Sequence, residues 1–224
     1  IERYFLESML SQLPPHLAGF LVRCSILESM TPALCAALVD DPAASAHLEQ
    51  LMRETPIVLA GEGQGWLRLH TLARDFLQGR FEELPVAERN RLHGRAAAWY
   101  AASGHLREAA RHALEGGDEA AALAYAAQSL RETARQGRLA EAREWMHRLP
   151  ASAFDRDVDL RMSAAWIEAL GDSALDAFPM VDPIIADSRV GPHVRFEAAL
   201  IGCAAALFCD RPGLIIDYVA PWNE

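Results

Sequence analysis

The fold of this chain is decided by residues 66–81, which read WLRLHTLARDFLQGRF. Residues 56–60 before it form a short apolar run, and three glycines separate that run from residues 66–69, so the sequence predicts a β-hairpin. From Leu69 onward the apolar residues recur at helical spacing, at Leu69, Leu72, Phe76, Leu77 and Phe81. A hairpin followed directly by a helix predicts a winged-helix unit, in which the hairpin is the wing.

Helical patterns precede the hairpin. Residues 1–10 predict a first helix, and Pro14-Pro15 begins a second one with apolar residues at Leu17, Phe20, Leu21 and Cys24. Thr31-Pro32 is a typical N-cap and N1 pair, and Asp40-Asp41-Pro42 ends the short helix that it begins. Residues 45–53 predict one more helix. The order is that of a winged helix with one added terminal helix.

Helical repeats are predicted after Pro85. Three similar phrases begin at Gly104, Gly137 and Gly171, 33 and 34 residues apart. Each glycine follows one helix and begins the next, a spacing typical of tetratricopeptide-like (TPR-like) helical hairpins. Pro179 and Pro183 predict that the second helix of the third repeat is kinked or broken. Residues 210–213 predict the turn of a fourth repeat, and the second helix of that repeat is cut short.

The sequence thus predicts a mainly α fold in two domains. Residues 1–84 are the winged-helix domain with one β-hairpin, and residues 85–224 are TPR-like antiparallel helical repeats, a truncated α-solenoid. Because the chain begins and ends inside apparent helices, we interpret it as a fragment of a longer protein.

Charge and composition exclude several partners. The net charge of −10 repels phosphate backbones and anionic membranes. The helix before the wing carries one arginine and two glutamates, so we expect no direct binding of nucleic acid by this fragment. No segment is apolar enough to span a membrane. Four cysteines without CxxC spacing predict buried, reduced thiols in a cytoplasmic protein: Cys24, Cys35, Cys203 and Cys209.

Catalytic motifs are missing from the sequence. A phosphate-binding Walker loop requires a lysine, and the chain contains none, so we expect no enzyme activity in this fragment. His105 and His112 lie seven residues apart without a matching set of ligands, so we predict no metal site. The glycines at 61, 63 and 65 join two strands rather than a strand and a helix, which predicts a wing tip rather than a phosphate loop.

Two features admit more than one interpretation. The aromatic residues of the repeats either pack between helices or line a ligand groove: Trp99, Tyr100, Tyr125, Trp145 and Trp166. His70, at the joint between strand and helix, either caps the helix or hydrogen-bonds the hairpin, or it contacts a ligand.

Four ordered blocks resemble one family. They are residues 20–27 with Pro32-x-Leu-Cys-x-x-Leu38, Leu69-His-x-Leu-x-x-Asp-Phe-Leu77, His93-x-x-Ala-Ala-x-Trp-Tyr-x-x-x-Gly104, and Ala109-x-x-His-Ala-Leu-x-x-Gly-Asp118. Together they are similar to the segment after the nucleotide-binding core in the large bacterial regulators related to MalT. These are LuxR-type, ATP-dependent transcriptional regulators of the STAND class of signal-transduction ATPases. The resemblance covers residues 1 to about 150.

The resemblance implies an arrangement of the longer protein. A nucleotide-binding domain would precede Ile1, a DNA-binding domain would follow Glu224, and the helical repeats would receive a small-molecule inducer or a protein partner. His70 matches the histidine that contacts the phosphate of bound ADP in related ATPases, although MalT-like sequences often carry two histidines where this chain has His70-Thr71. The fragment itself would hold no cofactor, since ATP or ADP would bind in the full-length protein.

Two functions are therefore expected. The first is a regulatory and sensor fragment of an ATP-dependent transcriptional regulator, which couples inducer binding and nucleotide state to activation. The alternative is a free-standing TPR-type adaptor for protein–protein interaction.

Overall fold

The structure, a computed structural model, describes residues 10, 12–61 and 63–222. Most of the predicted first helix lies outside these residues. Contacts within the chain define two compact units, Ile1–Glu119 and Ala120–Glu224.

Within the described residues, three of the four helices predicted before the hairpin are seen: α1 (Pro15–Cys24), α2 (Pro32–Val39) and α3 (Ala44–Glu54). Thr31 is the N-cap of α2, because its hydroxyl accepts a hydrogen bond from the Leu34 N–H at 3.2 Å. Asp40 ends the same helix in the left-handed conformation, with φ of 59°. The local signals at both ends of α2 therefore act as the sequence indicates.

The wing is a two-stranded antiparallel hairpin of β1 (Val58–Ala60) and β2 (Leu67–Leu69). Val58 pairs with Leu69, and Ala60 with Leu67. A further antiparallel bridge joins Leu67 to Met30 through two hydrogen bonds of 2.8 Å. Helix α4 (Thr71–Glu82) follows the hairpin after a single residue, so the predicted order of a winged helix is confirmed.

The first helical hairpin consists of α5 (Val86–Ala102) and α6 (Leu106–Glu115), which pack against each other. Helix α5 also packs on α2, where the Arg95 guanidinium lies 2.9 Å from the Asp40 carboxylate. The Tyr100 hydroxyl donates to the Ser29 carbonyl at 3.1 Å. The sequence boundary proposed at residues 84 and 85 falls in the α4–α5 linker, whereas these contacts hold the first hairpin in the unit that ends at Glu119.

The helices of the second unit follow one another with short connections. They are α7 (Glu119–Arg135), α8 (Leu139–Met146), α9 (Ala151–Arg156), α10 (Val158–Leu170), α11 (Phe178–Ala186), α12 (Pro192–Phe208) and α13 (Pro212–Val219), with short 3₁₀ helices at Ala174–Ala177 and Ala220–Trp222. Helix α10 packs on α8, α11 and α12, and α12 packs on α13. This serial packing confirms the predicted helical repeats and the mainly α fold.

The three glycine phrases are not equivalent in the structure. Gly104 and Gly137 both have positive φ, of 80° and 75°, and each separates two helices. Gly171 has φ of −96°, and the residues after it form the 3₁₀ helix rather than an α-helix. The expected second helix of this repeat begins only at Phe178, with Pro179 in its first turn and Pro183 inside it. A proline is tolerated in the first turn, where its missing N–H has no intrahelical partner.

The cysteines are free, and the prediction of buried thiols holds for two of them. Cys24 and Cys35 are fully buried, and burial raises the pKa of the Cys24 thiol. Cys203 and Cys209 are only half-buried, so the prediction is wrong for these two.

Among the described residues, no helix has the length and apolar character needed to cross a membrane.

Candidate functional site

His70 occupies the single position between β2 and α4. Its main chain is fully engaged: the N–H donates to the Ile57 carbonyl at 2.8 Å, and its carbonyl accepts from the Arg74 N–H at 2.9 Å. The backbone of His70 therefore fixes the angle between the wing and α4.

The imidazole of His70 plays no part in fixing the angle between the wing and α4. His70 is the N-cap residue of α4 but makes no side-chain capping hydrogen bond. Its Nδ1 is buried and has no hydrogen-bond partner within the part of the chain that the structure describes. A buried nitrogen without a partner is costly, and such groups mark sites where another molecule completes the hydrogen bonding. Within the described residues the imidazole therefore neither caps α4 nor hydrogen-bonds the hairpin.

The N-terminus of α4 suits an anion. The first peptide N–H groups of a helix have no intrahelical acceptors, and the helix dipole places partial positive charge there. The first turn of this twelve-residue helix carries no acidic side chain. Thr71 and Leu72 are exposed beside His70. A phosphate approaching this position would meet N–H donors and an imidazole.

The glycine-containing loop between β1 and β2 is the tip of the hairpin. Gly61 N–H donates to the Trp66 carbonyl at 2.8 Å, and Gly63 and Gly65 both have positive φ. The loop joins two strands, as predicted, so no helix N-terminus follows it.

A second group of polar side chains lies between α5 and α6. His93 Nδ1 lies 3.0 Å from His112 Nδ1 and 3.2 Å from Glu115 Oε2, and His112 Nδ1 lies 3.9 Å from the same carboxylate oxygen. These three atoms are of the types that bind metal ions. His112 and His105 are seven residues apart in the sequence, but His105 packs edge-on against Trp66 instead, at 5.6 Å between ring centroids.

The electrostatics of this group follow from burial. Burial lowers the pKa of His93 and lowers that of His112 to about 3, and in both cases the nearby Arg111 guanidinium adds to the effect. Burial raises the pKa of Glu115, which Arg111 partly opposes. Both imidazoles are therefore neutral at pH 7. Arg111 Nη2 lies 3.2 Å from His112 Nε2.

Of the aromatic residues that could line a ligand groove, Tyr100 is buried in the core and Trp166 is a half-buried residue packed against the core. Tyr100 is 3% exposed and stacks on His112 at 5.4 Å. Trp166 packs against the buried cluster of α10, α11 and α12. Trp99, Tyr125 and Trp145 are half-buried. The packing interpretation is thus confirmed for Tyr100 and Trp166.

Comparison with known proteins identifies the first part of the chain. Residues 6–89 match the family model of the MalT winged helix domain. These residues include the three helices, the hairpin, His70 and α4.

Similar proteins cover more of the chain. The serine/threonine-protein kinase PknK of Mycobacterium tuberculosis is 28% identical over 228 residues, which is 98% of this chain and 20% of PknK. The HTH-type transcriptional regulator MalT of Yersinia enterocolitica is 29% identical over 165 residues, 73% of this chain and 18% of that protein. MalT of Serratia proteamaculans is 28% identical over the same shares. The chain spans about a fifth of the length of the relatives that it matches. The resemblance inferred from four sequence blocks is therefore confirmed: residues 6–89 match the MalT winged helix domain, and 165 residues of the chain are similar to MalT regulators.

Proposed function

We propose that this chain is the regulatory and sensor part of an ATP-dependent, LuxR-type regulator of transcription. The observation that carries the proposal is the match of residues 6–89 to the MalT winged helix domain, together with relatives named as HTH-type transcriptional regulators. A relative named as a protein kinase contains the same segment over 98% of this chain. A segment shared by proteins with such different names is better explained as a regulatory module than as the site of either activity.

His70 is the proposed contact to nucleotide. Its backbone is held by β1 and α4, and its side chain has a buried nitrogen without a partner in the described residues. The N-terminus of α4 beside it favours a phosphate. A nucleotide-binding domain preceding this chain would supply ADP, and the winged helix would hold the ADP-bound form inactive. Loss of the contact on exchange to ATP would make the pair of domains a two-state switch.

Direct binding of DNA is assigned to another domain of the longer protein. Helix α3 would enter the major groove if this winged helix read DNA, yet Glu49 and Glu54 oppose its single Arg53. Phosphate contacts supply much of the affinity of protein–DNA complexes, and this helix offers few. We likewise propose that the chain neither hydrolyses ATP nor inserts into membranes, and that it acts in the cytoplasm.

The proposal is tested in the full-length protein with His70→Ala. We expect faster loss of bound ADP and higher transcription without inducer, because the winged helix no longer recognises the phosphate. His16→Ala, an exposed histidine on α1 of the same unit, is the matched control and should change neither property. Unchanged ADP retention and basal transcription in His70→Ala would contradict the proposal.

The helical repeats are the proposed receiver of the inducer. A thermal-shift screen of small metabolites against the longer protein tests this, because a ligand that binds only the folded state raises its melting temperature.

A free-standing adaptor is the second candidate. It is favoured by apolar side chains left exposed on α12 and α13, where Leu207, Phe208 and Ile216 are 67%, 61% and 72% exposed. The gene upstream of Ile1 distinguishes the two. A lysine-containing phosphate loop there supports the regulator, and a start codon close to Ile1 supports the adaptor.

A further inference from the structure

The group formed by His93, His112 and Glu115 is assembled by the packing of α5 on α6. His112 and Glu115 are three residues apart on α6 and therefore share one face of that helix. His93 reaches them from α5. The alanines that precede them, Ala109 and Ala113, are buried and small, so the two helices approach closely.

Gly116 makes this approach possible. A Cβ at this position would lie 3.0 Å from the His93 Cβ and 3.3 Å from the Asn90 carbonyl oxygen. Both distances are shorter than ordinary van der Waals contacts. A side chain at Gly116 would therefore push His93 away from His112 and Glu115.

The separations of the three donor atoms suit a tetrahedral ion. Zinc binds imidazole nitrogen at about 2.0–2.1 Å and carboxylate oxygen at similar distances, so two ligand atoms in a tetrahedral site lie roughly 3.3 Å apart. The distances here are 3.0, 3.2 and 3.9 Å, which bracket that value. Shifts of the three donor atoms by a few tenths of an ångström would allow them to bind one ion together.

We propose that His93 Nδ1, His112 Nδ1 and the Glu115 carboxylate form a binding site for a divalent transition-metal ion of the zinc class. Two imidazoles and one carboxylate leave a fourth position for water or a ligand atom. A cavity of ≈680 Å³ borders the group and is lined by His93, Glu115 and Arg111, among others. Glu115 stands at its rim, with 43% of its side chain exposed, and gives an ion a path of entry.

The positions of the protons on these three side chains favour a bound ion over a network of hydrogen bonds alone. Arg111 donates to His112 Nε2, which places the single proton of this neutral imidazole on Nδ1, from where it is donated to His93 Nδ1. The Glu115 oxygen, 3.2 Å from His93 Nδ1, then faces an acceptor. A bound cation would use the lone pairs of all three groups at once.

Arg111 weakens the proposed site and thereby offers a test. Metal on Nδ1 requires the proton of His112 to move to Nε2, where it meets the Arg111 donor. The guanidinium must then turn to Glu28 or remain with Glu115, which lie 3.7 and 3.6 Å from its Nη1. Its positive charge also repels the ion. A glutamine at this position would remove the charge, and its amide oxygen could accept the Nε2 proton.

Calorimetric titration of the untagged, chelator-treated 224-residue chain with zinc chloride tests the proposal. We expect one ion per chain with micromolar or tighter affinity, and cobalt substitution should give the intense visible absorption of a tetrahedral site. Glu115→Gln, at the exposed rim of the group, should weaken zinc binding by about tenfold or more. His105→Gln removes an exposed histidine from the same helical hairpin and should leave the affinity unchanged.

Arg111→Gln separates an ion site from a purely structural hydrogen-bond network. We expect tighter zinc binding by this variant, whereas loss of the network alone would lower thermal stability with or without zinc. The proposal is overturned if the chain binds no zinc in the micromolar range, or if Glu115→Gln and His105→Gln bind it equally. Zinc affinity in Arg111→Gln that equals or falls below that of the unmodified chain would likewise count against it.

Discussion

Arg23 and Glu88 form an ion pair that joins α1 to the start of α5, with Nη2 and Oε1 2.8 Å apart. The same carboxylate oxygen accepts a second hydrogen bond from Arg23 Nε at 3.0 Å. The winged helix is thus connected to the first helical hairpin by a charged contact in addition to the packing of α2 on α5.

A double-mutant cycle with Arg23→Ala and Glu88→Ala should measure a coupling of about 0.5–1 kcal/mol in the free energy of unfolding. The estimate is modest because the two side chains are 36% and 21% exposed and water screens them. Urea unfolding at low and high salt provides the measurement, and the coupling should fall with salt. The exposed Arg53–Glu54 pair on α3 serves as the control and should show almost no coupling.

Tyr100→Phe should destabilise the unit that ends at Glu119 by about 1 kcal/mol. The substitution keeps the ring that stacks on His112 but removes the hydroxyl that donates to the Ser29 carbonyl, in a hydrogen bond that is partly buried. Urea unfolding curves of the two proteins provide the comparison. Tyr125→Phe, a half-buried tyrosine of the other unit, is the control. A Tyr100→Phe protein as stable as the original would show that the hydroxyl bond adds nothing.

Two glycine-to-alanine substitutions should have opposite effects. Gly104 has φ of +80°, so an alanine there is strained and should cost about 1 kcal/mol or more, although its Cβ would meet no atom within 4 Å. Gly79 lies inside α4, and a Cβ there also meets nothing within 4 Å. Alanine at Gly79 should therefore stabilise the protein by about 0.5–1 kcal/mol.

Thermal unfolding of both variants measures these changes in stability. Because a Cβ at either position meets no atom within 4 Å, the backbone conformation and not a steric clash decides the outcome. If Gly104→Ala were as stable as the unsubstituted chain, the positive φ would not be needed for the turn between α5 and α6.

Local signals explain why the winged helix could be predicted from sequence. Thr31, Asp40 and the three wing glycines act through residues close to them in the chain, and the structure places each boundary within a few residues of the predicted one. The change from alternating to helical periodicity after residue 69 locates α4 in the same way. Interactions between residues this close together in the chain can be predicted from the sequence alone.

Contacts between residues that are far apart in the chain could not be predicted from the sequence. His93 and His112 are nineteen residues apart on different helices, and only the register of α5 against α6, which Gly116 permits, brings their rings together. The unsatisfied Nδ1 of His70 is likewise a property of packing rather than of spacing. The third glycine phrase is similar in sequence to the other two, but Gly171 lacks their positive φ, and the next α-helix begins only at Phe178.

Glu168→Gln should stabilise the unit formed by residues 120–224 more at pH 8 than at pH 5. Glu168 lies on α10 with only 2% of its surface exposed, and its Oε2 is 3.4 Å from Arg143 Nε. Burial raises the pKa of this carboxyl above its usual value, and Arg143 opposes the effect only in part. The folded state therefore holds the proton more tightly than the unfolded state does.

It follows that the glutamate form loses stability as the pH rises through the folded-state pKa, because the carboxylate must then ionise in a buried position. Glutamine does not ionise, so the difference in urea midpoint between the two proteins should grow in favour of glutamine with rising pH. Glu144→Gln, whose side chain is 67% exposed on the adjacent α8, is the matched control and should show a difference that hardly varies with pH. If the glutamate protein gained stability relative to Glu168→Gln at high pH, attraction to Arg143 would outweigh the cost of burying the charge.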